Sequence, residues 1–231
     1  MQLLLALLLN LPAVLMYHQV DSHTPPDKIG RALTISPAQL SDELDYLESR
    51  HLRGVSVDDY LQANAAHHDT GDMVILTFDD GYADQYTDAL PILLAHHAHA
   101  TFFITTGNVG RRNHLTWNQI IRLQHDGMSI GGHSVQHVDL ASLSPARQQF
   151  QIDGCLTALR DHGIDADTYA YPGGTFNRAT EAILTKEPVA LAFTTDPSHR
   201  LGMRPQFEIA RLRVKDVTTM AAFQRFFTKL K

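Results

Sequence analysis

The sequence predicts an α/β fold, a parallel sheet closed or nearly closed into a β/α barrel. Three observations carry this. Short apolar runs alternate with helix-length amphipathic segments, the grammar of a parallel sheet covered by helices. About seven such runs fall within one domain-sized chain, which favours a barrel over an open doubly wound sheet. No Gly-x-Gly-x-x-Gly or phosphate-loop signature marks an open nucleotide-binding sheet.

The strands follow in order. Val14-Leu15-Met16-Tyr17 reads as a buried strand that feeds a site, and Val74-Ile75-Leu76-Thr77-Phe78 and Thr101-Phe102-Phe103-Ile104-Thr105 are β-rich runs. Met128-Ser129-Ile130, Tyr169-Ala170-Tyr171 and Leu191-Ala192-Phe193-Thr194 are shorter. Residues 209–214 alternate and are expected near the edge of the sheet. Helix starts are readable between them. Ser36 precedes Pro37 and has Gln39 three residues on, a cap with a capping-box partner, and Leu40, Leu44 and Leu47 share one face. Thr116-Trp117 opens a helix carrying Ile120, Ile121 and Leu123, with Gly127 placed to end it; Ser144-Pro145 opens another, reaching His162-Gly163.

Length and composition bound the function. The chain has 231 residues, 44% of them hydrophobic and 19% charged, enough for one domain or two small ones with an unstapled core. Lys plus Arg is 19 against 25 Asp plus Glu, a net charge of −6, and no basic run argues for a nucleic-acid partner. The single cysteine, Cys155, excludes an internal disulfide and a Cys-rich zinc cluster, and reads as a small buried apolar residue. The 14 histidines are unusually many, so spacing has to select the working few. Met1 to Leu9 is MQLLLALLL. Residues 1–12 read as a signal peptide or membrane anchor without the usual positive start, ahead of a domain over 13–231. Export to the periplasm, secretion or membrane association through this segment is the expectation; a native first element of the fold is the other reading. The run is too short to span a membrane alone, which takes about 20 apolar residues.

In parallel β/α folds the chemistry gathers at the C-terminal ends of strands. Thr77-Phe78-Asp79-Asp80-Gly81 lies there, though an isolated Asp-Asp-Gly is usually a capped turn. His133-Ser134-Val135-Gln136-His137 follows the strand near Ile130 and sets two histidines four residues apart; on one helical turn both imidazoles could reach one ion. Asp80, His133 and His137 then form a two-histidine, one-carboxylate set with open positions, suited best to zinc, with cobalt, nickel, manganese or iron as other occupants. Asp79 is left free to take a proton from water. Tyr171-Pro172-Gly173-Gly174 is turn chemistry at another strand end, and His18 closes the first strand. The remaining histidines, including the pairs His67-His68 and His96-His97, read as surface residues.

Together these segments resemble the polysaccharide deacetylases of the NodB-homology group, carbohydrate esterase family four. Residues 77–81 are similar to that family's first motif and His133 to His137 to its second, with Ala100-Thr101-Phe102-Phe103 like the strand between them. The resemblance runs from about residue 14 to 214. It implies a distorted (β/α)7 barrel, a divalent metal and hydrolysis of acetyl groups on sugars of a polysaccharide. Leu15-Met16-Tyr17-His18 resembles the permuted N-terminal strand of the poly-β-1,6-N-acetylglucosamine deacetylase branch, which makes His18 the candidate general acid, its pKa expected to be raised by a carboxylate. His199 is the rival for that role. The family arginine before the motif proline is replaced here by Ala170; Arg211 is similar to a branch arginine that could orient Asp79. Gly173 stands where an aromatic residue is common, leaving its N–H for an oxyanion hole, with Tyr171 and Pro172 beside the substrate. Asp79 is expected to be a base and not a fold determinant. Peptidoglycan or chitin-like glycans, small cyclic amides, a non-catalytic carbohydrate-binding relative and an iron oxygenase are the alternative readings.

Overall fold

The computed structural model describes residues 12–23, 25–195 and 206–227. Residues 1–11 of the leucine-rich start, and His199, lie outside the described residues. Among those described, no helix is long and apolar enough to cross a membrane.

The elements in chain order are β1 (Ala13–Tyr17), β2 (Gln19–Val20), α1 (Lys28–Leu33), β3 (Thr34–Ile35), α2 (Pro37–Ser49), β4 (Arg53–Val55), α3 (Val57–Ala65) and β5 (Met73–Phe78). After these come α4 (Leu90–Ala95), β6 (Thr101–Ile104), α5 (Trp117–His125), β7 (Ser129–Gly132), α6 (Pro145–Arg160) and β8 (Thr168–Ala170). The chain continues through α7 (Arg178–Leu184), β9 (Leu191–Phe193), β10 (Leu212–Arg213) and α8 (Met220–Phe227). The main sheet runs β10-β1-β5-β6-β7-β8-β9, with β4 paired to the first half of β5 and every ladder parallel.

The seven runs expected as strands are all strands or lie beside one. Residues 209–214 supply β10, the end strand of the sheet as expected, and they also form a seam. Ile209 bridges Phe193 in β9, and three residues later Leu212 and Arg213 pair with Leu15 and Met16 in β1. One short segment therefore links both ends of the sheet and curls it into the distorted (β/α)7 form. Alternation then sorts the side chains. Val14, Ile75, Phe103, Ala170, Phe193 and Ile209 fill the interior of the barrel. Leu15, Tyr17, Leu76, Phe78, Phe102 and Tyr169 face the helix layer. Burying each large apolar side chain contributes about 1.5–3 kcal/mol.

The caps follow the sequence with two adjustments. The Ser36 and Thr116 side chains accept from Gln39 N and Gln119 N, and Leu40, Leu44 and Leu47 are buried. Of these two caps, only Thr116 forms a reciprocal capping box; the Gln39 amide donates instead to Glu43 and the Lys215 carbonyl. In α5 only Ile120 and Leu123 are buried, while Ile121 is 42% exposed. Gly127, at φ +90°, ends that helix in the left-handed region that suits glycine. Cys155 is fully buried in α6, and burial pushes its thiol up to about 11.

Candidate active site at the mouth of the barrel

The C-terminal ends of β1, β5 and β7, with Arg211 reaching up from just before β10, bring six predicted residues into one cluster: His18, Asp79, Asp80, His133, His137 and Arg211. Asp79 continues the β5 pairing, its N–H donating to the Tyr17 carbonyl at 3.0 Å. The chain then turns through two left-handed residues, Asp80 at φ +76° and Gly81 at φ +74°. That turn lifts the second carboxylate toward the next strand ends while the first stays over the barrel interior.

The Asp80 Oδ1 atom lies 3.2 Å from His133 Nε2 and 3.1 Å from His137 Nε2. The imidazoles converge, but not through one helical turn as the spacing suggested. Residues 133–137 are a loop, and left-handed backbone at Ser134 (φ +65°) and His137 (φ +51°) folds it. The Ser134 hydroxyl accepts the His137 N–H at 2.9 Å and pins the second bend.

This donor set fits a divalent cation. His133 Nδ1 lies 2.7 Å from the Ala170 carbonyl, which accepts only from an N–H. In a neutral ring that places the proton on Nδ1 and leaves Nε2 with a bare lone pair. The facing Asp80 Oδ1 is buried and has no hydrogen-bond partner. Two acceptors pressed together repel unless positive charge lies between them. Ligand atoms of one tetrahedral zinc lie about 3.4 Å apart, given bonds of about 2.1 Å. The observed separations are close to that value.

Asp79 is held differently. Arg211 donates from Nη1 to Oδ1 and from Nη2 to Oδ2, both at 2.7 Å, and is itself 1% exposed between the rings of Phe103 and Phe193. Nη1 and Nε also donate to Thr77 Oγ1 and the Thr194 carbonyl. Burial pushes the Asp79 carboxyl up, but Arg211 together with His133 more than offsets this and holds it below the usual carboxylate range.

His18 is buried, with Nε2 4.0 Å from Asp79 Oδ2 and Nδ1 without a hydrogen-bond partner. Strand alternation sets it opposite Tyr17, whose hydroxyl turns outward to Glu43 at 2.8 Å. The expectation of a raised pKa is reversed. Burial pushes the imidazole down to about 4, outweighing the pull of Asp79 and Asp80.

The third segment divides. Gly173 is exposed at φ +64° in a short turn, and a Cβ there would meet nothing. Pro172 is buried, and Tyr171 points away from the mouth. It is fully buried, stacks on Phe176 and donates its hydroxyl to the Phe207 carbonyl at 2.9 Å. Expected beside the substrate, Tyr171 is a core residue, because alternation from the inward Ala170 turns it out toward the helices.

Two residues near the cluster carried no signal in the sequence. Gln85 is fully buried in a π-turn spanning Gln85–Ala89, and its amide donates to the carbonyls of His18 at 2.9 Å and Asp79 at 2.5 Å. It ties the ends of β1 and β5 at their two titratable residues. Tyr82 stacks on His114 with ring centroids 5.2 Å apart and, half-buried beside Asp80, has its hydroxyl pKa pushed up. Of the paired histidines, His67, His68 and His97 are exposed as expected. His96 is the exception, half-buried and bonded to Glu48 at 3.0 Å.

A barrel of this form with this cluster at its mouth is the architecture of a hydrolase whose substrate enters over the strand ends. Residues 66–191 match the family model described as polysaccharide deacetylase, and the chain belongs to that family. It is thus a deacetylase-family hydrolase of carbohydrate. The matched stretch contains Asp79, Asp80, His133 and His137 and ends before Arg211; His18 precedes it. The chain is similar over most of its length to YxkH of Bacillus subtilis, provisionally named a polysaccharide deacetylase, at 26% identity over 94% of this chain and 76% of that one. Among solved structures it resembles the Streptococcus pyogenes deacetylase PplD in complex with acetate, with TM-score 0.82, 25% identity, and 93% and 96% of the two chains covered. It also resembles IcaB from Ammonifex degensii, with TM-score 0.74, 26% identity, and 94% and 96% covered.

Proposed function

We propose that this protein is a metal-dependent hydrolase that removes acetyl groups from N-acetylated sugars of a polysaccharide. The observation that carries the reading is the convergence of two imidazole nitrogens on the unbonded Asp80 Oδ1, with His133 oriented from behind by the Ala170 carbonyl. Asp80, His133 and His137 would hold the ion, zinc by the nature of the donors. When bound, it supplies Lewis acidity toward the acetyl carbonyl and acidifies water.

The chain's own residues supply the proton chemistry. Asp79 enters ionised, since Arg211 keeps its pKa low, and each of its oxygens retains a lone pair beyond the one bonded to the guanidinium. It can therefore accept a proton from the attacking water without releasing Arg211. His18 enters neutral and cannot donate first. Lying 4.0 Å from Asp79 Oδ2, it is placed to receive the proton passing through that carboxylate and deliver it to the leaving sugar nitrogen. The exposed Gly173 N–H is proposed to help hold the developing oxyanion. Acetate in the PplD structure is the acid that such a reaction releases.

The test is acetate release from poly-N-acetylglucosamine, chitin oligomers and peptidoglycan, before and after chelation, with Asp80→Ala as control. Release abolished by chelator, restored by zinc or cobalt, and absent in the variant is expected. Undiminished release by chelated protein or by Asp80→Ala overturns the metal-dependent reading.

A further inference from the structure

We propose that Arg213 is a substrate-recognition residue that receives an anionic group of the glycan, a carboxylate or a phosphate ester, at the rim of the barrel. This rests on the deacetylase reading above and deepens it by naming the charge of the substrate.

Register places the residue. Arg213 pairs with Met16, which pairs with Thr77, so Arg211 lies two residues lower, level with Val14 and Ile75. Alternation puts both arginines on the inward face. From its lower position Arg211 reaches up to Thr77 and Asp79. Arg213 starts about 6.6 Å higher, at about 3.3 Å per residue. An equal reach would carry its guanidinium above the level of Asp79, toward the mouth.

Chemistry assigns the ligand. Asp79 already has both oxygens occupied by Arg211, and Asp80 faces the two histidines. Arg213 is half-buried, and among the described residues its side chain has no hydrogen bond or ion pair. A guanidinium offers five donors in a rigid fork matched to carboxylate and phosphate oxygens. One kept partly out of water with no acceptor among the described residues is a fork matched to such a group. Its charge is within electrostatic reach of His18, Asp79 and Asp80.

The experiment compares three N-acetylated oligosaccharides of similar length: neutral chito-oligomers, muramic-acid-containing oligomers and oligomers carrying glycerol phosphate. Each is measured with the wild type, Arg213→Gln and Arg213→Lys. Arg213→Gln should lose about 10-fold more in kcat/KM on an anionic oligomer than on the neutral one, through KM, with partial rescue by lysine. The arm that shows this loss identifies carboxylate or phosphate as the group. Binding titrations with chelator present read the same difference as a Kd ratio without turnover, so failure of the hydrolase reading stays separable from failure of this one. Equal losses on neutral and anionic oligomers, or equal Kd values for wild type and Arg213→Gln, overturn the proposal.

Discussion

β5 is flanked by an arginine–aspartate pair at each end, and the two behave as different objects. Before the strand, Asp72 receives Arg53 through Nε at 2.7 Å and Nη2 at 3.2 Å; after it, Asp79 receives Arg211 through two bonds of 2.7 Å. The side chains of the first pair are 57% and 42% exposed, those of the second 0% and 2%. Hydration already satisfies the first pair, and salt screens it. The second exists only because each charge compensates the other where water cannot. The histidines follow the same division. At the bottom of the barrel a cavity of about 490 Å³ is lined by Arg53, Asp59, His68, His97 and His99, yet His99 simply pairs with Asp59 at 3.0 Å. On the surface, Asp45, Glu48 and His96 lie close enough to share an ion, but Glu48 and the Ser41 hydroxyl occupy both ring nitrogens of His96. Titratable residues gather at both ends of this barrel. At the top, burial leaves His18 Nδ1 and Asp80 Oδ1 without hydrogen-bond partners.

The largest test of that contrast is Asp79→Asn. Loss of the base should lower kcat by about 10²–10⁴-fold. The expectation that Asp79 is not a fold determinant does not survive its geometry. Substitution leaves the Arg211 charge buried against a neutral amide, and breaking buried pairs costs about 3–5 kcal/mol. Denaturant unfolding should show that loss, with zinc content by elemental analysis retained because Asp80, His133 and His137 are untouched. Wild-type stability in Asp79→Asn would mean that the buried pair is as dispensable as the exposed one.

His18 gives the next effect, and its sign is set by burial. Its folded pKa of about 4 lies below the ordinary value of 6.5, so the unfolded chain binds the proton more readily. The contribution to stability is complete above pH 6.5 and is lost as pH falls toward 4. That amounts to about 3 kcal/mol. His18→Ala should remove this slope from stability–pH curves and lower turnover by about 10²–10⁴-fold with zinc retained. An unchanged slope would show that the imidazole is hydrated and free to charge in the folded protein.

The seven barrel strands and five of the six clustered residues were legible because both rest on local rules, whereas Arg211, just before β10, was marked only by resemblance. Apolar runs such as 74–78 mark strands, and polar residues just past them mark the mouth. What was not legible depends on three dimensions. β2, β3 and β4 are two or three residues long, too short for any periodicity to register. Gln85 looks like any helix-surface glutamine until the π-turn buries it against two carbonyls. The direction of the His18 shift is a contest between burial and nearby carboxylates, which no motif ranks. Tyr171 could have been placed by alternation from Ala170 alone, but its neighbours in the motif drew it toward the substrate. Arg213 lies two residues after Arg211, and only register separates their heights.

The smallest effect belongs to the other end of β5. Arg53 lowers the Asp72 carboxyl through its hydrogen bonds, so whatever stability the pair contributes is present above the ordinary carboxylate pKa and fades as pH falls below it. Because both side chains are largely exposed, that contribution should stay within about 1 kcal/mol. Asp72→Asn should therefore shift the unfolding midpoint slightly at low ionic strength, less in 1 M salt, where the screening length is about 3 Å. Turnover should be unchanged, since nothing connects Asp72 to the mouth except the length of β5. The decisive measurement is the pair of unfolding curves for Asp72→Asn and Asp79→Asn under identical conditions. Equal losses would mean that exposure is not what distinguishes the two ends. A loss confined to Asp79→Asn, insensitive to salt, would show that water at one end and its exclusion at the other turn the same two residue types into a surface contact and a site.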